Sequence, residues 1–155
     1  METEYLTARK TVCRDFQVLM RTEIEIPLPA GYSEIRGFYE TMKDTILRWT
    51  TEREGERLLE EYLAADPRER ARFKTEIFRV RGEVLPTGRE WFAVVCSAWQ
   101  AGQEAGASRV LQVWNLSEQT LLPSKEIISR FPEEKFRKFF TKSGKRRKVG
   151  KKLLQ

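Results

Sequence analysis

Five side chains around one glycine-containing loop are the best placed in this sequence to do chemistry: Trp99, Gln100, Gln103, Glu104 and Arg109. They lie in or beside AGQEAGAS, residues 101–108, whose glycines permit backbone angles that other residues avoid. An aromatic ring beside amide, carboxylate and guanidinium groups makes a rim suited to binding. The plainer alternative is a wide hairpin connection with Trp99 in the core. A glycosidase-like reaction needs two carboxylates sharing a cleft, and Glu90 and Glu104, which flank the strand meander, are the pair that could supply it. Separate surface positions for the two are the competing reading.

Other chemistries are poorly supplied. The chain has no histidine, so the commonest general base and the commonest metal ligand are both missing. Cys13 and Cys96 stand far apart in the sequence, which gives neither a zinc-finger spacing nor a disulfide framework. Cys96, within AVVCSAW, reads as a small buried hydrophobe; a Cys13–Cys96 bridge or a reactive thiol is the alternative. No glycine-rich phosphate loop of the Walker or dinucleotide kind is present. The expectation is a protein with no catalytic residue, no cofactor and no metal site.

The formal charge of +6 suggests nucleic acid until it is localised. Residues 141–155, TKSGKRRKVGKKLLQ, hold Lys142, Lys145, Arg146, Arg147, Lys148, Lys151 and Lys152 and no acidic residue. Without these seven, 22 basic residues stand against 23 acidic ones, so the body is at −1. Such an arm can bind nucleic acid through counterion release or anionic lipid through surface potential; a solvated, flexible tail is the alternative. No apolar run is long enough to cross a bilayer, and METEYLTARK lacks the apolar stretch of a secretory signal. As it stands the chain reads as cytoplasmic, and as extracytoplasmic if a leader precedes it in the intact protein.

The elements that must position these groups follow from periodicity. A length of 155 residues with 40% hydrophobic composition fits one globular domain, here 1–140, followed by the tail. The segment YLTARKTVC and the alternating DFQVLMRTEIEIPL read as two strands joined by a turn at Cys13–Asp15. In the second, Phe16, Val18, Met20, Ile24 and Ile26 share one face, and Pro27 and Pro29 are expected to stop the pairing. Ser33 is the N-cap candidate of a long helix whose stripe is Ile35, Phe38, Tyr39, Met42, Ile46 and Trp49. Gly55 is expected to kink or divide it, a sparser stripe of Leu59, Tyr62 and Leu63 follows, and Asp66-Pro67 ends it. Three strands come next, near 74–85, 90–100 and 109–116, the middle one apolar on both faces and therefore central. Pro123 and Pro132 each open a short helix, the last with Phe136, Phe139 and Phe140 on one face. This order is α+β: an antiparallel sheet packed against one long helix, with short C-terminal helices.

Three segments carry a resemblance: IPLPAGYSEIRGFYETM, CSAWQAGQEAGASR and VWNLSEQTLLPSKEI. Together, over roughly residues 27–131, they resemble the domain of unknown function at the C-terminus of RsiV-type anti-sigma factors and PdaC-type deacetylases. The resemblance implies an α+β binding module of bacterial type, in the RsiV case one that recognises a protein, lysozyme. This sequence departs from the pattern in having no loop histidine and in carrying Asn115 where the family often has aspartate. The expected function is accordingly that of a non-catalytic module with a protein partner.

Overall fold

Each apolar alternation in the sequence becomes a strand and the one long stripe becomes a helix, in the order β-β-α-α-β-β-β-β-α-α, the long helical segment counted once. The computed structural model describes residues 1–139; Phe140 and the basic tail lie outside the described residues. Six strands form one curled sheet in sequence order: β1 (Thr3–Arg14), β2 (Gln17–Pro29), β3 (Glu76–Leu85), β4 (Trp91–Gln100), β5 (Ser108–Asn115) and the short β6 (Thr120–Leu121). Four of the five pairings are antiparallel; β2 and β3 run parallel. That exception follows from connectivity, because a long helix between two neighbouring strands returns the chain to the end where it started.

The turn between β1 and β2 is Asp15-Phe16, one position later than the sequence suggests. Both residues take positive φ, 51° and 63°, and Phe16 stands fully exposed instead of joining the core. Pro27 and Pro29 do not end β2, which pairs with β1 as far as Thr3↔Pro29. The Ala30 N–H donates to the Glu2 carbonyl at 2.9 Å, so even-numbered residues of β2 bond to β1. The two prolines therefore aim their missing donors at β3, whose register with β2 has ended at Glu25↔Arg81.

The helical segment runs from Ser33 to Ala64 as α1 (Ser33–Thr50), a π-helical turn (Thr51–Gly55) and α2 (Glu56–Ala64). Its buried residues are Ile35, Tyr39, Met42, Ile46 and Thr50, then Gly55, Leu58 and Tyr62. Phe38 and Trp49 are only partly covered, and Leu63 is exposed. The five-residue step from Thr50 to Gly55 sets which residues face inward after it. A regular helix would turn Glu54, Arg57 and Glu61 inward, and the wider turn rotates Leu58 and Tyr62 there instead. Gly55 also lets the helix sit close on the sheet, since a Cβ there would lie 3.1 Å from Val12 Cγ2.

Ser33 is not the N-cap. Tyr32 holds that position without a side-chain bond, and Gln119, from the β5–β6 turn, supplies the missing acceptor. Its Oε1 accepts from the N–H groups of Glu34 at 2.9 Å and Ile35 at 3.4 Å. Farther along, the short α3 (Pro67–Ala71) opens with an Asp66/Glu69 capping box.

Between helix and sheet, Ile24, Ile26, Ile35, Met42, Val94 and Trp114 belong to the main core. A buried polar chain runs through it. The Tyr39 hydroxyl donates to Gln112 Oε1 at 2.6 Å and accepts from the Trp114 indole N–H at 2.9 Å. Removing one hydroxyl leaves two buried groups without that partner, so Tyr39→Phe should cost about 2 kcal/mol. Urea unfolding measures this; a loss below about 0.5 kcal/mol would mean that the two groups find other partners.

The opposite face is covered only in part. Two short helices, α4 (Ser124–Arg130) and α5 (Glu134–Arg137), bring Ile127, Phe131, Phe136 and Phe139 onto Ala93, Val95, Leu111 and Val113. Trp91 meets Phe131 edge-on, 5.8 Å between ring centres. Beyond Val95 no described residue of α4 or α5 covers the central strand on this side, where the sequence suggests cover on both faces.

Both cysteines are free. Cys13 is exposed and Cys96 buried, and burial pushes the Cys96 thiol up to about 12. In the unfolded chain that thiol ionises near its ordinary value. Its contribution to stability is therefore present below that pH and lost as pH rises toward 12. Cys13 should react with a thiol reagent in the native protein and Cys96 only on unfolding. Unfolding curves should lose more stability above pH 9 in the native sequence than in Cys96→Ala; equal loss would contradict the assignment.

Candidate functional site

The open part of the sheet face is built by strand alternation. Residues opposite one another in adjacent strands share a face, so the register lays out transverse rows. One row reads Thr7, Glu25, Arg81, Ser97, Arg109; the next reads Arg9, Glu23, Arg79, Trp99. With Arg21 and Glu83, this face presents five arginines (9, 21, 79, 81 and 109) against three strand glutamates (23, 25 and 83). The long helix on the other side has the opposite balance, with eight acidic and five basic residues in 33–64. A body close to neutral is thus polarised across its thickness.

Within the face the arginines are not equivalent. Glu23 bridges Arg9 and Arg79, each at 3.1 Å. The guanidinium groups of Arg81 and Arg109 have no hydrogen-bond or ion-pair partner among the described residues. Both line a cleft of about 330 Å³ with Gly82, Glu83, Ser97, Trp99, Glu104 and Ala107. Ser97 pairs with Arg81 on one side and Arg109 on the other, so two long cationic arms flank a small residue. Planar guanidinium groups so placed suit bidentate bonding to a carboxylate or phosphate. Trp99 forms one wall, and its indole Nε1 is buried without a partner among the described residues. A second cleft of about 450 Å³ adjoins the first and shares Arg81.

The loop predicted to carry the site contributes in part. Trp99, Glu104 and Arg109 line the cleft. Gln100 alternates to the helix side, where its carbonyl accepts from the Gln103 N–H at 2.9 Å, and Gln103 is exposed in the loop. Glu104 begins a 3₁₀ turn (Glu104–Gly106), and its carboxylate accepts from the Gly102 N–H at 3.2 Å. Backbone N–H groups of Glu104 and Gly102, with the Arg79 charge behind them, hold that carboxyl below its ordinary range. This is the opposite of what a general acid needs. Glu90 precedes β4 and Glu104 follows it, which puts them roughly 30 Å apart along the strand. The paired-carboxylate reading fails on that distance.

Arg81 and Ser97 escape a reading of the loop alone, because they reach the cleft by strand pairing. The signal was present in FRVRGEVL, residues 78–85, whose alternation sets Arg79 and Arg81 on one face. Asn115 serves the fold: its Oδ1 accepts from the Glu118 N–H at 3.1 Å and the Ser117 hydroxyl at 2.9 Å, shaping the turn that delivers Gln119. Among the described residues no three His, Cys, Asp or Glu side chains gather as a metal site would require. No described helix is long and apolar enough to cross a membrane.

No family model and no curated protein matches the chain. Solved structures do match it. One is a DUF3298 family protein from Pseudomonas aeruginosa PAO1, at 12% identity and a TM-score of 0.46 over 81% of this chain and 56% of that one. Another is a DUF3298 member from Bacteroides fragilis NCTC 9343, at 10% identity and 0.44 over 78% and 58%. The chain thus spans a little over half the length of each. DUF3298 is the RsiV/PdaC-type domain.

Proposed function

We propose that this chain is a non-catalytic recognition module that takes a protein partner on the open face of its sheet. What supports the reading is one arrangement: Arg81 and Arg109, without partners among the described residues, on either side of Ser97 and beside the Trp99 ring that walls the cleft. Arginine and tryptophan are the residue types that dominate binding energy when a partner desolvates them. An acidic side chain entering the cleft gains two charge-assisted bonds, and its neighbours pack against the Trp99 ring that forms the wall. A photo-crosslinking residue at Ala107, on the cleft rim, should capture the partner in living cells. The same residue at Glu60, on the outer helix face, should not. Capture from Glu60 alone would refute the reading.

A second reading rests on the composition of residues 141–155, with seven basic residues and no acidic one. Those residues bind polyanions, nucleic acid or anionic lipid, independently of the cleft. Replacing all seven by glutamine should abolish binding to duplex DNA and to anionic vesicles. The native chain's affinity should fall steeply with salt. Unchanged binding in the substituted chain removes this reading.

A further inference from the structure

The outer edge of β1 is open, long and built for one particular partner. Among the described residues β1 pairs only with β2. Since the Glu2 carbonyl accepts from Ala30, the even residues of β1 turn their backbone groups toward β2. The N–H and C=O groups of Thr3, Tyr5, Thr7, Arg9 and Thr11 point away from the sheet. All five residues are exposed, Tyr5 by 61%. They are mostly β-branched or aromatic types, and no proline interrupts them. Such an edge is a template for another strand unless charge forbids it.

We infer that β1 pairs with β1 of a second copy of this chain, antiparallel about a two-fold axis at Thr7, joining two sheets into one. Centring on Thr7 opposes outward residues to outward residues: Thr7 to Thr7, Tyr5 to Arg9, Thr3 to Thr11. All five are engaged, for about ten inter-chain hydrogen bonds. The same register sets Glu4 opposite Lys10 twice, in non-hydrogen-bonded pairs where side chains lie closest. Glu4 already contacts Arg36 of its own helix at 3.1 Å, so Lys10 adds a second cation to an exposed carboxylate. Tyr5 against Arg9 makes a cation–π pair. Charges that repel a random strand thus fit this one, and the two open faces become continuous across the axis.

Sedimentation equilibrium of the full chain tests the pairing. The native protein should show a concentration-dependent dimer. Thr7→Pro removes a donor with no partner inside the chain, so the fold should persist by circular dichroism while the dimer dissociation constant rises at least about tenfold. Lys10→Glu should weaken the dimer to a similar degree, and Glu4→Lys combined with Lys10→Glu should restore it. A native protein that stays monomeric overturns the inference. A dimer indifferent to both Thr7→Pro and Lys10→Glu overturns it too, and so does a charge exchange that fails to recover what Lys10→Glu lost.

Discussion

Replacing Gly82 by valine should lower the unfolding free energy by about 3 kcal/mol, while Gly106→Ala should leave it within about 0.5 kcal/mol. Gly82 lies in β3 just past its last pairing with β2. A Cβ there would meet Pro27 Cδ at 2.9 Å, Ile26 Cγ2 at 3.1 Å and Val94 Cγ2 at 3.2 Å. None of these is the free end of a flexible side chain: one belongs to a rigid ring, and the others to buried branched residues in neighbouring strands. The valine methyls would therefore force strands apart. A Cβ at Gly106 meets nothing within 4 Å. Urea unfolding of both variants is the measurement, and equal effects would mean that the β2–β3 corner yields to a side chain.

Arg81→Gln combined with Arg109→Gln should weaken binding of a glutamate-rich peptide about a hundredfold. Each guanidinium contributes a charge-assisted bond of about 1.5–3 kcal/mol where water is excluded. Stability should barely move, since both side chains are exposed and have no partner among the described residues. Two control variants separate the sources of affinity. Arg36→Gln, on the acidic helix side, should bind as the native protein does. The chain with glutamine at its seven tail positions should keep the cleft's affinity and lose only the tail's. Calorimetric titration reads all four proteins; equal peptide affinity in the native and doubly substituted proteins would place recognition elsewhere.

How far the residues themselves foretold this molecule depends on range. Alternation in β2 and β4 and the stripe through Ile35, Met42 and Ile46 are local signals, and they set the α+β class and the helix's buried face. What stayed hidden was set by contacts distant in sequence. The cap of α1 comes from Gln119, more than 80 positions away, and no local preference announces it. Pro27 and Pro29 read as strand breakers, and only the departure of β3 makes their missing donors harmless. The phase change from Thr50 to Leu58 was legible in principle: a regular helix would bury Glu54, Arg57 and Glu61, which form a surface ion-pair network with Arg57 at its centre. At the site, the loop residues Trp99, Glu104 and Arg109 could be named from their neighbourhood. Their companion Arg81 came from another strand, and a single sequence does not state strand order.

The central claim is that the face between Arg81 and Arg109 receives an acidic partner segment. Two-dimensional NMR of the full chain, titrated with a glutamate-rich peptide, reads it residue by residue. The indole N–H of Trp99, whose ring walls the cleft and which has no acceptor among the described residues, should move most. The amides of Ser97, Ala107 and Arg109 should shift along the same saturating curve. Shifts confined to α1 and α2, or to residues 141–155, with the Trp99 indole unmoved at saturation, would contradict it.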